Sequence, residues 1–283
     1  MKNIKSYAKI NLFLKITRRQ KNFHKLYSLI VQINLYDEIL IKENKRKENT
    51  IFFFGKYKTN TQNNTVINLL RLMKKRFPTI KSKNFDVYIK KNIPNGSGLG
   101  GASSNAATVF NFIKRKYKLQ ISEKDSKKLL AKIGKDCPLF LNQKVKLIQS
   151  FGEQFKELKY NPKLNMLLIY PNLSLSTKKV FSKLKKISNI SFKKSINFRD
   201  KKKLLEVCKY YGNDLLNPAI KIAPKLKTLI NLISKIEDCN FYSMTGSGSA
   251  FFLIFSKKKS LLNAQKMIKK QRSSLWTKIV KTI

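Results

Sequence analysis

Residues 94–108 read Pro94-Asn-Gly-Ser-Gly-Leu-Gly-Gly-Ala-Ser-Ser-Asn-Ala-Ala-Thr108. The stretch follows Phe85-Asp-Val-Tyr-Ile89, whose alternation predicts a strand, and it opens into a helical pattern near Ser103. Four glycines in six residues (Gly96, Gly98, Gly100, Gly101) allow positive φ and a close approach of backbone to ligand. Successive amides then form an anion nest, and the helix N-terminus adds its own amides and dipole. Ser103 and Ser104 offer hydroxyls. The segment therefore reads as a phosphate cradle made of Pro94, Asn95, Gly96, Ser97, Gly98, Leu99, Gly100, Gly101, Ala102, Ser103 and Ser104. A flexible linker or a tight structural turn is the alternative, and the strand–loop–helix setting weighs against it. The Gly-Lys-Ser/Thr ending of a Walker A loop is missing, so backbone and hydroxyls must do the holding.

On the N-terminal side, residues 6–16 predict a strand, 18–22 a polar turn, and 27–33, 37–41 and 51–54 three further strands. A helix is predicted over 64–77, with Val66, Leu69, Leu70 and Met73 on one stripe and Pro78 as a stop. On the C-terminal side, a helix is predicted over 122–133. Ser122 and Asp125 signal its start, and Gly134 is expected in the left-handed conformation at its end. Beyond it lie a strand at 166–170, a helix at 178–186, an exposed linker at 187–203, and helices at 203–211 and 224–236. A second glycine loop, Met244-Thr-Gly-Ser-Gly-Ser249, precedes a strand at 250–255 and a helix at 258–270. This order is α+β in two lobes, with a boundary placed between 1–150 and 151–283.

A chain of 283 residues with 42% apolar content can bury a sizeable core, which excludes a disordered chain despite a net charge of +46. Three cysteines without a CxxC point away from a disulfide scaffold or zinc ribbon and toward a reducing cytoplasm. One histidine excludes a multi-histidine metal site. No apolar run approaches the roughly 18–20 residues of a membrane span. The N-terminal segment, interrupted by Lys9, Asn11 and Lys15, does not read as a signal peptide. The 61 basic residues against 15 acidic ones suggest nucleic-acid binding. Yet only Arg18, Arg19, Arg46, Arg71, Arg76, Arg115, Arg199 and Arg272 are arginines, and the lysines are dispersed. A solvated lysine surface that recruits an anionic substrate is the expectation, with no obligate nucleic acid and no membrane.

The cradle motif resembles the ATP loop of the GHMP kinase superfamily. Ala8-Lys-Ile-Asn-Leu-Phe-Leu14, Phe23-His24 and Leu35-Tyr-Asp-Glu-Ile39 are similar to the N-terminal region of the 4-diphosphocytidyl-2-C-methyl-D-erythritol kinase family. Ile133-Gly-Lys-Asp-Cys-Pro-Leu-Phe140 and Met244–Phe251 resemble two further motifs of that family. The resemblance implies the two-lobe GHMP fold, with an S5-domain-2-like N-terminal lobe and a ferredoxin-like C-terminal lobe. It also implies phosphoryl transfer from ATP to the 2-hydroxyl of diphosphocytidyl-methylerythritol. By motif, Asp136 is the general base, and Lys9 keeps it ionised and stabilises the developing charge. Asn11, Phe23, His24, Thr177, Gly246, Ser247 and Gly248 are expected at the substrate, with His24 reading cytosine. Phe23 replaces the family's usual tyrosine, so stacking is retained and a hydroxyl is lost. Lys135 stands where alanine is usual. Mg²⁺ is expected with ATP; its ligands are unassigned beyond Asp136 and Ser104. The oligomer is expected to be a monomer or weak homodimer. A GHMP kinase acting on another alcohol and a basic nucleic-acid-binding protein are the competing readings.

Overall fold

The computed structural model describes residues 3–20, 23–59, 64–149, 154–184, 187, 198 and 200–283. The chain forms two compact units. Unit 1 comprises residues 1–8, 35–95 and 100–143; unit 2 comprises 9–34, 96–99 and 144–283. They do not follow a single cut after residue 150: residues 9–34 and 96–99 pack with the C-terminal half.

The N-terminal chain forms β1 (Ile4–Gln20) and β2 (Phe23–Asn44). The two strands expected at 27–33 and 37–41 are one 22-residue strand. Residues 34–36, Asn-Leu-Tyr, contain neither glycine nor proline, so nothing there releases the chain from extended geometry. Of the expected turn at 18–22, residues 18–20 continue β1, and 21–22 lie outside the described residues.

In unit 1, β3 (Thr50–Phe54) pairs parallel with β4 (Asn84–Lys90), and β4 pairs antiparallel with the second half of β2. Helix α1 (Thr65–Arg76) buries the predicted stripe of Val66, Leu69, Leu70 and Met73. Asn64 caps it by accepting from the Val66 amide at 2.7 Å. Helix α2 (Gly101–Lys116) buries Ala106, Ala107, Val109, Phe110 and Ile113. Helix α3 (Glu123–Ile133) starts at Ser122, whose hydroxyl accepts from the Asp125 amide at 3.0 Å. Gly134 is extended (φ −178°), not left-handed, because the chain runs straight on into a 3-10 turn at Cys137–Phe140.

In unit 2, the first half of β2 pairs with β5 (Val145–Ile148), and β5 pairs with β6 (Phe155–Leu158). A four-stranded sheet runs β10-β7-β9-β8, all pairs antiparallel, from β7 (Asn165–Tyr170), β8 (Cys239–Met244), β9 (Phe251–Phe255) and β10 (Trp276–Lys281). The helices are α4 (Thr177–Ser182), α5 (Lys201–Tyr211), α6 (Leu216–Ile222), α7 (Lys225–Ser234) and α8 (Lys258–Gln271). Leu14 and Ile16 of β1 share a core with Leu167, Ile169, Phe251 and Leu253 of the sheet. Each such burial stabilises by roughly 1.5–3 kcal/mol. The predicted helix at 178–186 ends at Ser182. Most of the expected linker at 187–203 lies outside the described residues, and its last three residues already belong to α5.

Candidate active site

The glycine loop crosses between the units: residues 96–99 pack in unit 2, and residues 94–95 and 100–104 pack in unit 1. Gly96, Gly98 and Gly100 all have positive φ, at 61°, 80° and 76°. Their vacant side-chain space at 96 and 98 is filled by protein. A Cβ at Gly96 would meet Ser174 Oγ at 1.8 Å, and one at Gly98 would meet the Thr245 carbonyl at 2.3 Å. Those two glycines thus serve packing of the loop itself as well as its turn.

Within unit 2, the first glycine loop is stitched to the second. The Ala250 amide donates to the Ser97 carbonyl at 3.1 Å, and the Leu175 amide donates to the Gly96 carbonyl at 3.3 Å. Lys9, only 4% exposed, donates from Nζ to the Gly98 carbonyl at 2.7 Å and to Asn11 Oδ1 at 2.5 Å. Asn11 donates from Nδ2 to Ser28 Oγ at 2.8 Å, and its amide donates to Thr245 Oγ1 at 3.0 Å. A side chain at Gly246 would come within 3.1 Å of Lys9 Nζ, so the ammonium lies directly beside the second loop. Thr177, at the start of α4, shares a 2.9 Å hydrogen bond with Ser247. The His24 ring is tilted against Phe181 of α4, 4.9 Å between centroids. The Phe23 side chain lies outside the described residues. Of the substrate candidates, Asn11 is bonded directly to Lys9 and Gly246 lies beside its ammonium, Thr177 is bonded to Ser247, the residue after Gly246, and His24 packs on the helix that carries Thr177.

Within unit 1, α2 begins at Gly101, two residues earlier than expected, with Gly100 as its left-handed cap residue. Residues 100–103 are solvent-accessible to differing degrees, and Asn95 is exposed. Pro94 is buried, as Ser97 and Leu99 are in the other unit, which leaves them mainly their backbone to offer a ligand. Ser104 is 1% exposed, and its hydroxyl accepts from Ser6 Oγ at 2.8 Å. Its side chain is therefore turned toward β1 and the core of unit 1. Asp136 starts the 3-10 turn; its side chain makes no capping hydrogen bond and is exposed. The neighbouring Lys135 is also exposed. Behind Asp136, Cys137 is buried and bonds to Ser103; burial pushes its thiol up to about 11.

The family model for the GHMP kinases N terminal domain matches residues 64–142, the span that holds the cradle, α3 and Asp136. A 4-diphosphocytidyl-2-C-methyl-D-erythritol kinase from Pelagibacter ubique is 34% identical over 99% of this chain and 98% of its own length. This chain belongs to the 4-diphosphocytidyl-2-C-methyl-D-erythritol kinase family. A relative of the same name from Petrotoga mobilis is 33% identical over 89% of this chain and 98% of its own length. A crystal structure of a 4-(cytidine 5'-diphospho)-2C-methyl-D-erythritol kinase has the same fold, with TM-score 0.78, 23% identity and 99% of both chains covered. The mevalonate kinase of Methanococcus jannaschii matches at TM-score 0.67 and 15% identity, covering 100% of this chain and 98% of its own. As a member of this kinase family with the GHMP fold, the chain is an ATP-dependent small-molecule kinase.

Several residues that brace the second glycine loop, β1 or His24 carried no signal in the sequence. Asn213 donates from Nδ2 to the carbonyls of Met244 (2.7 Å) and Gly246 (2.9 Å), bracing the second loop. Asp214 holds Lys15 at 2.6 Å and the Ile16 amide at 2.8 Å. Phe181 would have looked like an ordinary apolar helix residue. No described helix is long and apolar enough to cross a membrane.

Proposed function

We propose that this chain transfers the γ-phosphoryl group of ATP to the 2-hydroxyl of 4-diphosphocytidyl-2-C-methyl-D-erythritol, in the non-mevalonate route to isoprenoid precursors. The observation that carries this reading is the buried Lys9 ammonium, held on Gly98 and Asn11 beside the second glycine loop. A fixed cation next to two glycine loops is what a transferring phosphoryl group requires. Relatives that bear this activity in their names cover nearly the whole chain, which supports the choice of acceptor.

In the proposed reaction the acceptor oxygen bonds to the γ-phosphorus. The bond from that phosphorus to the β–γ bridging oxygen breaks, and ADP leaves with the electron pair. The hydroxyl proton passes to the Asp136 carboxylate, which is exposed and not engaged in capping its own turn. Lys9 offsets the negative charge that develops on the transferring group. Amides at 100–103 and the N-terminus of α2 suit the ATP phosphates. His24 reads the cytosine, with Phe23 and Thr177 nearby in sequence or element, and residues 246–248 line the phosphates.

No three His, Cys, Asp or Glu residues cluster as a metal site among the described residues. Mg²⁺ therefore fits as the counter-ion carried by ATP and not as a protein-caged ion. We place the reaction in the cytoplasm, in keeping with three free cysteines, and with a monomer or weak homodimer as the working unit.

The test is transfer from ATP·Mg²⁺ to the diphosphocytidyl alcohol by wild type and Asp136→Asn. Wild type transfers, and the near-isosteric variant loses about 10²–10⁴-fold in kcat. A folded, ATP-binding wild type that leaves this alcohol untouched overturns the substrate assignment. Equal rates for both proteins overturn the general base.

A further inference from the structure

Asp37 is a fully buried carboxylate in unit 1 with no part in the reaction just described. It lies in the middle of β2, yet its four hydrogen bonds all reach the flanks of the glycine loop. Oδ1 accepts from the amides of Asn92 (2.8 Å) and Ile93 (2.9 Å), where the chain leaves β4. Oδ2 accepts from the Lys91 ammonium and from Asn105 Nδ2 at 3.1 Å, in the second turn of α2. Lys91 is itself 3% exposed.

The groups that Asp37 holds also lie under the first residue of α2. A side chain at Gly101 would meet Ile93 Cγ2 at 3.1 Å and Lys91 Nζ at 3.3 Å. Residues 101 and 105, one turn apart, thus both rest on parts of one carboxylate's hydrogen-bond set. The amides at the start of α2 have little freedom to shift unless this set changes. Binding an anion on such amides depends on their being aimed in advance, since an orientation lost must be regained from binding energy.

We propose that Asp37 is a positioning residue for nucleotide binding, acting through Lys91, Ile93 and Asn105 to aim the N-terminal amides of α2 at the ATP phosphates. The proposal rests on the ATP-dependent reading above and deepens it. A second feature agrees with it. Asn105 Oδ1 is buried without a partner, so this side chain is kept in place by its single bond to Asp37. An asparagine that only filled the core would be expected to satisfy both ends of its amide.

The test is direct titration of ATP with Mg²⁺ by calorimetry, with thermal unfolding alongside, on wild type, Asn105→Ala and Asp37→Asn. Asn105→Ala cuts one tie and leaves the Lys91 pair intact, so it keeps the fold. Its ATP Kd rises about tenfold, the loss of one charge-assisted hydrogen bond to a carboxylate. Asp37→Asn weakens ATP further and lowers Tm as well. The sign is diagnostic, because removing a carboxylate makes the chain more positive and by field alone would tighten an anion. A purely structural role lowers Tm and the fraction of active protein but leaves the Kd of the folded fraction unchanged. An unchanged Kd in folded Asn105→Ala overturns the proposal. A wild type that itself fails to bind ATP overturns the kinase reading beneath it.

Discussion

Gly98 shows how much one absent side chain can carry. Its φ of 80° suits glycine, and a methyl there would stand 2.3 Å from the Thr245 carbonyl. Both effects act on the same residue, so Gly98→Ala should cost roughly 2–4 kcal/mol of stability. Urea unfolding checks this, and a cost below about 0.5 kcal/mol would mean that the two loops part easily. The sequence shows a glycine at 98 but not its reason, because Thr245 is far along the chain. The same holds for Lys9, which no local pattern separates from the other lysines; only its place in a family motif marks it. Its burial and its bonds to Gly98 and Asn11 emerge from packing. Asp37 was visible only as part of a family-like segment, because its partners at 91–93 and 105 are more than fifty residues away.

Elements with a local signature were readable from the sequence, and those without were not. The buried stripe of α1 and the Ser122 cap of α3 match their expectations, since helical spacing and capping are encoded within a few residues. Strand β5 is buried throughout, Lys146 included, so it shows no alternation. Strand β10 carries lysines at 278 and 281 and buries only Val280. Strand β2 reads as two because its apolar pattern weakens near Asn34, yet that side chain accepts the Lys281 amide at 2.8 Å and the strand continues. The far end of β2 is tied down by charge. Hydrogen bonds from Lys83 and then Tyr117 hold the Glu43 carboxyl down to about 2 from its ordinary 4.5. A carboxyl depressed on folding stabilises above its unfolded value and loses that contribution as pH falls toward the folded one. Glu43→Gln should therefore flatten the fall of Tm between about pH 4.5 and 2, a window set by those two values. A profile identical to wild type would show that the exposed cluster contributes nothing.

At the scale of the molecule, the lysine excess dominates. A net charge of +46 on 283 residues repels itself, and the described ion pairs are mostly at the surface. Raising NaCl from about 10 mM to about 200 mM should raise Tm, because screening removes more repulsion than attraction. A falling Tm would mean that the surface pairs outweigh the repulsion. Composition made this charge plain, but the partition of the chain into units was not legible, because it depends on which distant segments share a core. That partition bears on how the enzyme is born. Residues 9–34 leave the ribosome early, yet Leu14 and Ile16 share their core with β7 and β9, which are translated more than a hundred residues later. The Ser97 carbonyl likewise waits for the Ala250 amide. The nascent chain must carry its first glycine loop unfinished while about 150 further residues are made, so that loop gains its last partners only as β9 emerges.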